Sequence, residues 1–121
     1  MARVDKTDST IGVNRALLAA DIEAADYGVP LGVSINSSGL AVIGAEDQSG
    51  YVGIVIASRY NSAAGMPIDI FKFAEIVDCE GLVAGTKYFA DVTDGTLTAT
   101  ATSNVFVGYT IEADRLVLAG F

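Results

Sequence analysis

Residues 81–118 read GLVAGTKYFADVTDGTLTATATSNVFVGYTIEADRLVL, and this stretch decides the fold. Residues 87–91 (KYFAD) predict a strand, and Thr93, Asp94 and Gly95 a tight turn. Residues 97–102 (LTATAT) then alternate, which puts their threonines on one face of a second strand. Ser103 and Asn104 break the alternation, and residues 105–111 (VFVGYTI) resume it. Glu112, Ala113 and Asp114 lead into a last strand over residues 115–118. In outline this is a β-meander, and it carries no reactive group.

The same grammar extends back to Leu31. Residues 31–35 (LGVSI), a turn at Asn36, Ser37, Ser38 and Gly39, and residues 40–43 (LAVI) predict a hairpin. Residues 51–57 (YVGIVIA) form the most apolar run, which predicts a central strand. Residues 45–50 and 58–65 read as polar surface loops, and Pro67 suits a strand start. Residues 67–77 (PIDIFKFAEIV) alternate as one long strand, provided a single bulge keeps one face apolar. Residues 38–41 with 52–55 echo residues 94–97 with 107–110, each a glycine turn followed by a Val-Gly pair, so Gly53 and Gly108 mark close backbone approaches.

Upstream of Leu31 the pattern changes. In residues 15–27 (RALLAADIEAADY), Leu17, Leu18, Ile22 and Ala25 fall near helical spacing, and Gly28 and Pro30 stop the run, which predicts one short helix. Residues 1–14 (MARVDKTDSTIGVN) show neither period and read as a flexible N-terminal arm, with Val4, Ile11 and Val13 as its apolar anchors. The expected fold class is therefore mainly β: a small antiparallel β-sandwich or barrel-like domain over residues 15–121, with an extended arm over 1–14 and at most one short helix.

A chain of 121 residues fits one domain with a modest core. Its net charge of -8 argues against nucleic acid, because phosphate contacts need clustered cations and the seven basic residues are scattered. A mean hydropathy of +0.46 is high for a small soluble monomer and favours an assembly. No apolar run reaches the roughly 20 residues of a membrane helix. The start is polar without a signal-peptide core, so synthesis in a cytoplasm is expected.

The chemistry is sparse. The chain contains no histidine, which removes Ser-His-Asp and Cys-His catalysis and leaves zinc without its commonest ligand. Cys79 stands alone, so it forms no intrachain disulfide, and its acidic neighbours predict a poorly nucleophilic thiol. Asp78 and Glu80 read as a solvated turn rather than a glycosidase pair, and the Asp91 to Asp94 run lacks calcium-loop spacing. No nucleotide-binding glycine motif occurs. The expectation is a protein with no enzymatic activity, cofactor or metal. Tyr88, Phe89, Phe106 and Tyr109 could stack a sugar, but neighbours in a strand point oppositely, so at least half of the set is expected in the core.

Ala84, Gly85, Tyr88, Asp94, Gly95, Leu97, Thr98, Thr100, Val107, Gly108 and Tyr109 punctuate residues 81–118 in a way that resembles the small bacteriophage capsid decoration proteins, of cement or head-fibre type. The resemblance covers roughly the last third of the chain well and the middle more loosely. It implies a virion protein on the outer capsid surface that binds the major capsid protein and stabilises the head by bridging coat subunits, with a homotrimer as the expected oligomer. The alternative is a small carbohydrate- or receptor-binding β module displayed on the virion, with Tyr51, Tyr60, Tyr88 and Tyr109 as the residues to test against host-surface glycans.

Overall fold

The computed structural model describes residues 14–44 and 50–120. The arm anchors Val4, Ile11 and Val13 and most of the 45–50 loop lie outside the described residues. The described chain forms ten strands: β1 (Asn14–Leu17), β2 (Pro30–Ile35), β3 (Ala41–Ile43), β4 (Gly53–Ile56), β5 (Pro67–Ile70), β6 (Ile76–Asp78), β7 (Lys87–Ala90), β8 (Leu97–Thr98), β9 (Val105–Glu112) and β10 (Arg115–Leu118). It is mainly β, as the alternation predicts.

The first five strands make a small barrel. β2 sits between β3 and β4, and β1 pairs with β5, all antiparallel. Two further contacts join these pieces into a ring. Ile54 and Phe71 exchange backbone hydrogen bonds of 2.8 Å each, which joins β4 to the end of β5. On the far side a parallel bridge between Leu18 and Ala41, with the Ala19 amide donating to the Ala41 carbonyl at 2.9 Å, brings β1 back to β3. Leu18, Leu31, Val33, Val55, Ile68 and Ile70 fill the interior. Burying a set of this size is the main stabilising term, at roughly 1.5–3 kcal/mol per large aliphatic side chain.

The last five strands make a sheet of order β6-β10-β9-β7-β8. Its inner face carries Val77, Ala90, Val107, Leu116 and Leu118, and it packs on the outward side of β4 and its neighbour, Ile54, Ile56 and Phe71. The ring, read as β1-β5-β4-β2-β3, and the sheet have the same order with every number advanced by five. The glycine echo in the sequence falls on equivalent elements: Gly53 opens β4 and Gly108 lies in β9. Both are close approaches. A Cβ on Gly53 would meet the Phe71 carbonyl oxygen at 2.5 Å, and one on Gly108 would collide with the Val117 carbonyl.

Four expectations need correction. Residues 15–27 are not a helix: β1 runs straight into the Leu18 bridge, and the only helical turn there is a single 3-10 turn, Ala24–Asp26. Distant carbonyls capture the amides a helix would use, since Leu18 donates to Met66 at 2.9 Å and Ile22 to Ser62 at 2.7 Å, so Leu18 and Ile22 are buried by an extended path. Residues 67–77 are two strands in different layers, β5 and β6, separated by a turn at Phe73 and Ala74. The LTATAT strand stops at Thr98, whose hydroxyl accepts from the Thr100 amide at 3.2 Å while the Asn104 side chain donates to the Thr100 carbonyl at 3.0 Å; these local bonds replace a ladder. The meander is also reordered, because β9 returns to pair with β7 instead of β8.

Gly53→Ala places a methyl against backbone at the β4 to β5 junction, and about 1–3 kcal/mol of stability should be lost. Gly50→Ala meets nothing within 4 Å and serves as control. Denaturant midpoints compare the two, and equal midpoints would contradict the close approach.

Candidate functional site

Strand alternation leaves the outer face of the second sheet uncovered. Register puts Ile76, Val117, Tyr109 and Lys87 in one row across β6, β10, β9 and β7, and Phe106, Phe89 and Thr98 in the next. Phe89 and Phe106 pack on each other with ring centroids 5.5 Å apart, tilted by 57°. Ile76 is 54% and Tyr109 43% exposed. Phe73, on the turn that leads into β6, is 62% exposed. Its turn is closed by the Glu75 amide donating to the Lys72 carbonyl at 3.1 Å, and Ala74 adopts φ 77°. A non-glycine residue there costs of order 1 kcal/mol, which the Ala74 amide offsets in part by donating to the Leu118 carbonyl at 3.0 Å. The apolar band is thus held rigidly, by a sheet and by a strained turn.

Between this sheet and the barrel runs a groove of about 420 Å³, lined by Ile56, Asn61, Asp69, Phe71 and β6. It continues past Gly28, Cys79, Glu80 and Asp114. β6 is the open edge of its sheet. At the other edge the sheet is sewn to the barrel: Leu31 bridges Thr96, and the Gly32 amide donates to the Gly95 carbonyl at 2.7 Å.

The ionisable groups have structural partners. Asp91 accepts from the amides of Thr93 at 2.8 Å and Asp94 at 3.3 Å, and Asp94 accepts from the Thr96 amide at 3.0 Å and hydroxyl at 2.7 Å. This is the turn the sequence predicts. The Thr96 amide, then its hydroxyl, hold the Asp94 carboxyl below its ordinary 3.8, so that turn is supported above that pH and loses support as pH falls through the lowered value. The Cys79 thiol is buried and pushed above its ordinary 9.0, by burial first and then by Asp114 and Asp78. The sequence reading found the direction through the acidic neighbours, but burial is the larger cause. Asp78 and Glu80 are exposed on either side of it.

The candidate tyrosines do not form one site. Tyr88 is buried and its hydroxyl accepts from the Val83 amide at 2.8 Å, whereas Tyr60 is on the 58–65 loop under the Arg59 guanidinium, 4.8 Å from the ring centroid. Tyr51 points inward and donates to the Asp91 carbonyl. Only Tyr109 joins the outer face. The aromatic set divides differently from the expectation: Tyr88 turns in, and Phe89, Phe106 and Tyr109 share the outside. The sequence reading missed Phe73 and Ile76, because a continuous strand over 67–77 hid the turn; the signal was that Phe71 and Phe73 fall on one strand face and Ile76 on the other, which no single face could hold.

No family model matches the chain, and no curated protein does. Among solved structures the chain is similar to a protein chain from Mycobacterium phage Patience, with a TM-score of 0.69 and 22% identity over 98% of this chain and 95% of that one. At this identity the likeness establishes a shared fold across nearly the whole length. Among the described residues no helix is long and apolar enough to cross a membrane.

Burial, then Asp91 and Asp94, push the Tyr51 phenol from 10.0 up to about 12. A raised folded value means the stabilisation is complete below pH 10 and is lost as pH rises from 10 towards 12. Absorbance titration at alkaline pH should show one tyrosine ionising last, and Tyr51→Phe should remove that component. A titration unchanged by Tyr51→Phe would contradict the burial.

Proposed function

We propose that this chain is a non-enzymatic phage capsid decoration protein that binds the major capsid protein on the outer surface of the assembled head. The observation that carries the proposal is the apolar band of Ile76, Val117 and Tyr109 on the outer face of the sheet, with Phe73 exposed on the turn that leads into β6, in a fold that also occurs in a phage protein. Solvated monomers rarely keep large apolar side chains side by side; a band of this kind is buried when a partner covers it. Bridging two coat subunits couples their separation to the loss of decoration contacts, so a modest energy per site is multiplied over the shell. The arm, through Val4, Ile11 and Val13, adds a second point of attachment, and a homotrimer matches the local symmetry of a shell. The net charge of -8 keeps many crowded copies soluble until they dock.

A second reading, a sugar- or receptor-binding module on the virion, draws on the half-buried Phe89 and Phe106 sharing the outer face with the exposed Tyr109. Glycan titration of the intact protein separates the two, since saturable sugar binding that Tyr109→Ala abolishes would favour the module.

Purified protein should bind preformed shells of its own virus in fixed stoichiometry and raise their rupture temperature. Phe73→Ser with Ile76→Ser should weaken that binding at least tenfold while the far-ultraviolet spectrum stays unchanged, and removal of residues 1–13 should weaken it further. Failure of the unaltered protein to bind such shells would end the proposal.

A further inference from the structure

We infer that the open edge of β6, with the groove beside it, receives the N-terminal segment of a second copy of this chain as an added strand. Pairing between β6 and β10 alternates. Cys79 donates to Asp114 at 2.9 Å and Leu118 to Glu75 at 2.9 Å, so Glu75, Val77 and Cys79 bond inwards while the amides and carbonyls of Ile76 and Asp78 face the groove. These are four main-chain groups at the spacing an incoming strand requires. In the barrel the corresponding strand, β1, is closed by the Leu18 to Ala41 bridge; among the described residues β6 has no bridge to β8, and its outward side is bonded only past its end, where the Glu80 amide donates to the Gly28 carbonyl at 2.9 Å.

The groove has an apolar floor, Ile56 and Phe71, and a rim of Asp78, Glu80 and Asp114. Residues 1–13 supply the matching chemistry: Arg3 and Lys6 flank Val4, and two carboxylates balance the two cations, so the whole net charge of -8 resides on the rest of the chain. Like-charged bodies repel, and the segment without net charge is the one able to join them. The described chain begins beside the groove: Asn14 pairs with Ile70, and the adjacent Arg15 donates at 2.8 Å to Asp69, which lines the groove. Thirteen extended residues reach roughly 40 Å, against a radius of gyration of roughly 14 Å for a compact chain of this length. The interaction needs no shell, so it stands apart from the capsid proposal.

Sedimentation and amide exchange on the full-length protein test it. Association should be concentration-dependent and weakened by salt, with the Ile76 and Asp78 amides protected only in the associated form. Asp78→Pro, which removes an outward amide and no β10 bond, should give a folded monomer. Arg3→Glu with Lys6→Glu should do the same without touching the body, which covers the case in which Asp78→Pro misfolds. Mixing the two variants pairs an intact arm with an intact edge and should restore a one-to-one complex. A mixture that stays monomeric, protection of both amides in a monomer (the segment in its own groove), or a full-length protein that never associates would each overturn the inference.

Discussion

The reciprocal backbone bonds between Ile54 and Phe71 hold the two halves of the molecule in one piece. Both residues use their main chain to close the barrel and their side chains to build the second core, against Val77, Leu116 and Leu118. The pairing needs β4 and β5 unusually close, and Gly53 allows it, because any Cβ there would press on the Phe71 carbonyl. Loosening this contact would open the barrel seam and remove the floor of the second core at once. The apolar band and the groove inherit their positions from it, since the chain passes straight from Phe71 through the turn into β6.

Much of this was legible from residue pattern. Alternation located β2, β3, β7, β9 and β10 to within a residue or two, Asn36 and Asp94 announced their turns, and the Val-Gly echo marked equivalent strands before any topology was known. The failures share a cause. Residues 15–27 have helical spacing, but spacing says nothing about which distant carbonyls claim the amides, and Met66, Ala41 and Ser62 claimed them. In 67–77 the alternation continues through a turn that only a left-handed Ala74 reveals, a conformation sequence does not signal for alanine. The candidate surface was hidden by the same misreading, because Phe73 and Ile76 look like core positions of one strand until the chain is seen to change layers.

Apolar packing and charge act in different places. The barrel interior has few polar members, and those it has are satisfied: Ser34 donates to the Gly44 carbonyl at 2.6 Å, and Tyr27 and Ser62 share a hydrogen bond of 2.8 Å. Among the described residues no buried side-chain nitrogen or oxygen lacks a partner. Carboxylates instead gather at the surface and beside β6, so the uncharged band and the acidic rim occupy separate parts of the surface.

The repeated strand order also bears on how the chain comes to be made. Every strand of the barrel precedes every strand of the second sheet, so a polypeptide emerging from the ribosome has all the pieces of its first core before β6 is synthesised. The second sheet is therefore synthesised after every strand of the barrel, and β6, first of its five strands to appear, waits longest for its partner β10.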